Sequence, residues 1–412
     1  MVDVQGAVDV QGGALLEGRL RRYQADRYPV QHATAQFHLG SILIEAGRPA
    51  DAEPVLRSSA ELLAGMSSEA ARATNLLGVA LRLTGRVEEA AAAFEDARSA
   101  FEDAGEPLEQ GAALHNLGLA QAQAGRPELA RPAFEQARSL FRRHGAGGRA
   151  VAAARELGAV LLSCGEVVEA GEVLEEATSM AERAGDEAGR GAAANALGLA
   201  RLAAGATGEA VAAFLAALGA HPRSVRPEAY AMVKANLALA HERAGDRPRA
   251  RLAARQALGT PAAPGPVRSQ AAAVLERLGT DPSDMLAVLD DEPGDRWTTV
   301  VREELLRWVD SPPDQRAADV AAWVDGQLAR EDRATDLAQA WLGVVVELPP
   351  TAMEELVRSL LLALPDREER ARRRFRSQVS AAMGAFNVPQ WMRLKDTFER
   401  VGGEVGAGGS WN

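Results

Sequence analysis

Two glycines and an alanine recur at fixed spacing over two-thirds of this 412-residue chain. The first glycine follows a leucine, the second comes seven residues later, and the alanine follows five residues after that, usually with a large apolar residue four positions further on. The Leu-Gly pairs are Leu39-Gly40, Leu77-Gly78, Leu117-Gly118, Leu157-Gly158 and Leu197-Gly198, and Leu237-Ala238 keeps the register in a sixth copy. The first step is 38 residues and every later step is 40. A constant period of this length predicts a stack of similar structural units.

Each unit has the pattern of two antiparallel helices. The first helix, helix A, carries the Leu-Gly pair and ends at the second glycine, such as Gly85, because a residue without Cβ readily adopts the left-handed conformation that closes a helix. The second, helix B, begins on proline or acidic residues, as at Pro127-Glu128, and continues an apolar stripe through Phe94, Ala97 and Phe101. Aromatic residues are only 4% of the chain, which suits helices packed closely through small side chains. The predicted fold is all-α, with about six helical hairpins in a solenoid and a smaller C-terminal helical domain.

These features resemble the tetratricopeptide repeat (TPR) family, in the long form of about 40 residues found in kinesin light chains and many bacterial TPR proteins. The resemblance is carried by the Leu-Gly pairs, the alanine and Phe/Leu series, and the Gly-Arg turns at Gly47-Arg48, Gly85-Arg86 and Gly125-Arg126. It covers about residues 30–280. Membership implies a right-handed superhelix whose concave groove is lined by the A helices and binds a protein partner.

Positions six and three residues before the Leu-Gly glycine, and one and four after it, fall on one helical face that this resemblance places in the groove. The predicted groove residues are Phe37, Ile44, Arg72, Asn75, Val79, Arg82, His115, Leu119, Arg155, Leu162, Asn195, Leu199, Leu202, Leu239 and Glu242. Because the face is largely apolar, it favours an amphipathic helix or an apolar peptide as ligand. The alternative is that flanking segments of the protein itself fill the groove.

The composition changes after about residue 280. All six tryptophans lie beyond residue 294, all six histidines lie before residue 242, and the sequence repeats stop. Side chains such as Trp297 and Trp308, or Phe375 and Met383, fall on single helical faces, so this part is predicted to be a compact helical domain of unrecognised family. The predicted organisation is a flexible tail over 1–13, a solenoid with an N-terminal capping helix over 14–280, a linker over 281–293, the C-terminal domain over 294–401 and a flexible tail over 402–412.

A run of basic residues lies within the C-terminal domain. Arg367, Arg370, Arg373 and Arg374 could form a site for an anion or an acidic partner. The alternative is a solvated helix face on which each arginine pairs with neighbouring acidic residues.

No residue pattern predicts catalysis, a cofactor or a metal site. Cys164 is the only cysteine and is expected to be a small buried residue near a helix end, and no phosphate-binding loop occurs. A net charge of -11 makes a nucleic-acid partner unexpected, and the absence of a long apolar run argues against a membrane span and for a cytoplasmic protein. The predicted function is a non-catalytic scaffold or adaptor for a protein or peptide partner. The alternative is a regulatory sensor in which a groove ligand controls the C-terminal domain.

Overall fold

The computed structural model describes Leu16 and residues 18–407. The predicted N-terminal tail and residues 408–412 of the predicted C-terminal tail lie outside this part. Of the predicted capping helix, Leu16 and residues 18–22 are helical. The chain forms two compact units, Met1–Glu209 and Ala210–Asn412.

The first unit is a series of helical hairpins. Its helices are α1 (Pro29–Glu45), α2 (Pro49–Leu62), α3 (Ser67–Leu83), α4 (Val87–Asp103), α5 (Pro107–Gln123), α6 (Pro127–Arg143), α7 (Gly147–Ser163), α8 (Val167–Ala184), α9 (Glu187–Ala203) and the start of α10 (Thr207–Ala220). From Ser67 onward a helix begins every 20 residues, each helix from α1 to α8 packs against the next, and each A helix also contacts the following A helix. Over the described residues the chain contains helices and no strand, as predicted for an all-α solenoid.

The glycine of the Leu-Gly pair touches the large apolar residue of the same repeat. A Cβ added at Gly78 would lie 2.6 Å from the Phe94 ring, and one added at Gly118 would lie 2.7 Å from the Phe134 ring. The same contact joins Gly158 to Leu174. Phe94, Phe134 and Leu174 are fully buried. Because each glycine has no side chain, it leaves room for the largest side chain of helix B to pack against helix A.

Left-handed glycines close both kinds of turn. Gly85 and Gly125, at φ 83° and 69°, end A helices as predicted. Gly105, Gly145 and Gly185, at φ 67°, 74° and 65°, do the same at the ends of B helices. The sequence carries this second glycine series at the same 40-residue period, so it could have been found from the repeat alignment.

We predict that Gly118→Ala destabilises the protein by about 1–3 kcal/mol, because the new methyl group would overlap the Phe134 ring in a fully packed site. Because alanine is the better helix former, a loss of stability must come from the steric conflict and understates it. Gly208→Ala is the matched control, since a Cβ there meets nothing within 4 Å. Urea denaturation of both variants checks this, and equal stabilities would contradict it.

The second unit combines the sixth hairpin with the C-terminal helices. Its helices are the remainder of α10, then α11 (Pro227–Arg243), α12 (Arg247–Leu258), α13 (Gly265–Leu278), α14 (Asp284–Asp291), α15 (Trp297–Asp310), α16 (Pro313–Ala329), α17 (Ala334–Val345), α18 (Pro350–Leu362), α19 (Glu369–Met383) and α20 (Val388–Glu404). Here α15, α17 and α19 pack side by side, as do α16, α18 and α20. The helices therefore alternate between two rows even though the sequence repeat has ended.

Residues 281–293 differ from the predicted linker. They contain α14, whose Met285, Leu286 and Leu289 are buried in the same core cluster as Trp308 of α15 and Leu252 of α12. A short amphipathic helix lies between the proline and acidic residues of this segment. Similarly, residues 402–404 of the predicted tail continue α20.

A buried network of charged and amide groups joins the sixth hairpin to the C-terminal helices. Arg307 of α15 donates to Glu304 at 2.9 Å and to Asp319 of α16 at 2.8 Å, and Gln256 of α12 donates to Glu304 at 3.0 Å. All four side chains are buried. Burial raises the pKa of Asp319, and the neighbouring Arg307 opposes that rise. Each carboxylate thus depends on Arg307 for its charge partner.

We predict that Arg307→Met lowers the free energy of unfolding by about 3–5 kcal/mol, because Glu304 and Asp319 would remain buried without a cation. Arg302→Met is the matched control. Arg302 pairs with Glu347 at 2.6 Å on an exposed surface, and its removal should cost about 0–1 kcal/mol. Urea denaturation at neutral pH measures the free energy of unfolding of both variants. Similar losses in the two would contradict the expected difference between a buried and an exposed ion pair.

Candidate functional site

The candidate site is one face of the A helices, which we call the A face. In the first unit it comprises the sides of α1, α3, α5, α7 and α9 that the B helices leave uncovered. On α5, for example, Gly118 and Ala120 are buried while Leu119 between them is half-buried. The 40-residue repeat places equivalent side chains at the same point on successive helices, so the face forms a continuous row.

Most predicted groove residues in the first unit lie on this face with part of the side chain accessible. The half-buried ones are Phe37, Ile44, Asn75, Val79, Arg82, His115, Leu119, Arg155 and Leu162, and the exposed ones are Arg72 and Leu199. The apolar members among the half-buried residues also pack against the hydrophobic cores below them. One side of each of these apolar side chains therefore packs against the core of the repeat, and the other side is accessible to solvent.

Two predicted residues of α9 are not accessible. The relative solvent-accessible surface areas of Asn195 and Leu202 are only 9% and 4%, whereas that of Leu199 on the same helix is 37%. The structure corrects the prediction for this pair, because neither side chain offers surface to a partner. Periodicity alone assigned them to the face and gave no information on what else covers α9.

Polar groups from three A helices meet near the middle of the A face. Asn116 of α5 donates to the Asn75 side-chain oxygen of α3 at 3.1 Å. Arg82 of α3 donates to the Gln123 side-chain oxygen of α5 at 3.3 Å. On α7, Arg155 pairs with its neighbour Glu156 at 2.7 Å. This polar group shares the A face with the apolar side chains of Val79, Leu119 and Leu162.

Three members of that polar group, Asn116, Gln123 and Glu156, are absent from the predicted set. They stand two residues before or five residues after the Leu-Gly glycine, just outside the four positions that define the predicted face. The accessible stripe is wider than four positions per helix. A count that included the adjacent positions of the helical stripe would have found all three.

His115 lies at the centre of this polar group. Its ring packs edge-on against Phe134, with 5.5 Å between ring centroids. Burial lowers the pKa of His115, the charges of Arg155 and Arg82 lower it further, and Glu156 opposes them. The imidazole is therefore neutral near pH 7. The guanidinium groups of Arg155 and Arg82 lie close enough to lower its pKa.

In the second unit, the A-face residues of α11 are partly engaged by another helix. Glu242 accepts two hydrogen bonds from Arg277 of α13, at 2.7 and 2.6 Å, and this pairing lowers the pKa of Glu242. Asn236 accepts a hydrogen bond from Gln270 of α13 at 2.9 Å. Leu239 remains half-buried. At α11, α13 therefore makes bonds of the same kind as those between successive A helices of the first unit.

The predicted arginine patch is largely paired within the protein. Arg367 contacts Asp325 at 2.7 Å, Arg373 contacts Glu369 at 2.8 Å, and Arg374 pairs with Glu331. Arg370 is exposed. This arrangement fits the alternative of a solvated helix face, and an anionic partner here stays a prediction.

Other functional features are few in the part of the chain that the structure covers. Over Leu16 and residues 18–407, no cluster of three histidine, cysteine or acidic side chains could hold a metal ion. Within the same residues, no helix is both long and apolar enough to cross a membrane. Cys164 is exposed at the end of α7, contrary to the prediction that it is buried, because it follows the last helical residue.

The sequence matches the tetratricopeptide repeat family over residues 69–143 and again over residues 115–188. These matches span α3 to α8, and their hairpins are the ones that contain the Gly–Phe and Gly–Leu contacts described above. Residues 69–188 are tetratricopeptide repeats. The TPR assignment made from the Leu-Gly pairs and Gly-Arg turns is therefore confirmed.

Several solved structures are similar to this chain. BtubC (BKLC) from P. vanneervenii is 19% identical with a TM-score of 0.46, over 52% of this chain and 90% of that chain. YrrB, a TPR protein with an unusual peptide-binding site, is 20% identical with a TM-score of 0.35, over 50% and 92%. The apo quorum sensor NprR from B. thuringiensis is 12% identical with a TM-score of 0.49, over 92% and 100%. No curated protein sequence matches the chain.

We predict that the pKa of His115 in the folded protein lies below its ordinary value of 6.5, because the half-buried ring is held in its neutral form. As pH falls below 6.5, the unfolded chain takes up the proton first, so folding stability decreases. An NMR titration of the ring protons measures the pKa directly, with His115→Gln to assign the signal. The variant should also lose less stability than the wild type on acidification, and a measured pKa of 6.5 or above would contradict the prediction.

Proposed function

We propose that this protein is a non-catalytic scaffold or adaptor that binds a peptide or helix of a partner protein on the A face of its first unit. The observation that carries the proposal is the row of accessible apolar side chains, Val79, Leu119, Leu162 and Leu199, contributed by successive A helices. Repeat proteins of this kind use such extended surfaces for binding.

Apolar contact would supply most of the affinity. Covering these side chains removes apolar surface from water, at roughly 25 cal/mol for each Å² covered. Because the cores beneath already fix the half-buried residues, a partner would meet a surface that loses little side-chain freedom on binding. The apolar side chains form a narrow row along successive helices. Such a row suits a single helical or extended segment of a partner better than a broad protein surface.

The amide pair at the centre adds polar recognition. In the bond between Asn116 and Asn75, each amide uses only one of its two polar ends. The Asn75 amide nitrogen and the Asn116 carbonyl oxygen therefore remain able to bond to the backbone of a bound segment. Apolar anchors with a small number of polar groups give affinity and orientation together.

The test is selection of binders from a random peptide library with the full chain, followed by measurement of the selected peptides. We predict that Leu199→Glu weakens their binding at least about tenfold, because it places a charge under the ligand on the A face. The matched control is Leu129→Glu. Leu129 is 48% exposed but lies on the B helix α6, so its substitution should leave affinity unchanged.

Fluorescence anisotropy gives the two affinities, and circular dichroism verifies that both variants remain folded. If Leu199→Glu binds the selected peptides as tightly as the wild type, the A face is not the binding surface. Failure of the wild type to select any peptide would also refute the proposal.

A further inference from the structure

Arg82 is unusual among the arginines of the A face. Arg72 pairs with Glu106 at 3.1 Å and Arg155 pairs with Glu156 at 2.7 Å. Among the described residues, Arg82 lies within ion-pair distance of no carboxylate, and its side chain bonds only to the neutral Gln123. Its Nε is buried and has no hydrogen-bond partner. Nη1 carries the bond to Gln123, and Nη2 makes no hydrogen bond within the described residues, so Nη2 can donate to a ligand.

The surroundings of Arg82 favour a negatively charged ligand. Arg82 lies on α3 and bonds to Gln123 of α5, Arg155 lies on α7, and the charges of both act on the ring of His115 on α5. Glu156 is the carboxylate that acts on this ring, and it already pairs with Arg155. Among the residues that act on His115, two arginines stand against one carboxylate, in a chain whose total charge is -11. Charge complementarity of this kind selects partners more strongly than it raises affinity.

We propose that the A face selects peptides in which an acidic side chain is bound by Arg82 and lies beside His115. This inference rests on the proposed function and adds the chemistry of the ligand. The guanidinium would offer its free donors in the fork geometry that matches a carboxylate, and the unprotonated imidazole would lie alongside without adding charge. The bond is charge-assisted and partly shielded from water, which makes it stronger than an exposed surface pair.

The spacing of the apolar side chains on the A face predicts which residues flank the acidic residue of the peptide. Leu119 of α5 and Leu162 of α7 lie on successive helices, and helices in contact are about 10 Å apart. An extended peptide advances about 3.3 Å per residue, so it reaches the next helix after about three residues. The expected ligand therefore has large apolar residues about three positions from the acidic residue.

The experiment uses peptides selected on the wild-type chain and resynthesised in two forms, one with the selected Glu and one with Gln in its place. On the wild type, the Gln peptide should bind about tenfold more weakly, as expected for loss of a bond between charged groups. On Arg82→Gln, the two peptides should bind equally, since the partner of the carboxylate is gone. Arg143→Gln is the matched control, because Arg143 is an exposed arginine of α6 whose side chain bonds to Ser139.

The possible results separate the two proposals. Selected peptides without a shared acidic position, or equal binding of the Glu and Gln peptides to the wild type, would overturn this inference while Leu199→Glu still confirms the A face. Equal discrimination by the wild type and by Arg82→Gln would overturn the assignment to Arg82. The wild-type comparison of the two peptides needs no variant, so it decides the acidic preference even if Arg82→Gln folds poorly. Selection of no peptide at all would refute both proposals.

Discussion

The close contact between a glycine on helix A and a large apolar side chain on helix B is the constraint on which the repeats depend. At Gly78 and Gly118 no side chain of any size fits, because a phenyl ring already fills the space. That contact fixes both the distance between the two helices and their rotation about their axes. Once both are fixed, the opposite side of each A helix is presented in the same orientation, repeat after repeat. The row of side chains on the A face is a consequence of how tightly the two helices meet behind it.

The repeated part of the fold was predictable because its cause is local and periodic. A glycine, a turn and an apolar residue at constant spacing leave few alternatives to a stack of helical hairpins, and the helix boundaries follow from the same residues. The fold of the second unit was harder to predict from the sequence. The α14 helix is short and flanked by prolines and acidic residues, so its buried Met285 and Leu289 were hidden by a composition typical of linkers. Burial there depends on α12 and α15, which are distant in sequence.

The A face shows the same division between local and non-local information. Helical periodicity identified Arg82, His115 and Leu119, because position on a helix is a local property. It could not establish that Asn195 and Leu202 are covered, since coverage depends on residues elsewhere in the chain. Nor could it distinguish Arg82, which has no carboxylate partner among the residues that the structure describes, from Arg155, which has one on its own helix. Pairing is decided by side chains meeting in three dimensions, and it is pairing that separates structural arginines from those available to a ligand.

The bonds between neighbouring repeats also bear on how the first unit folds and opens. They join residues a single repeat apart, as between Arg86 and Glu53 or between Asn116 and Asn75, so contact order is low. Stability in such an array is nearly a sum of terms for each repeat and its neighbours, and an end repeat can unfold without the rest. A ligand that crosses α3, α5 and α7 links repeats that otherwise open independently. Binding would therefore increase cooperativity of unfolding, and hydrogen exchange in the spanned repeats would slow together.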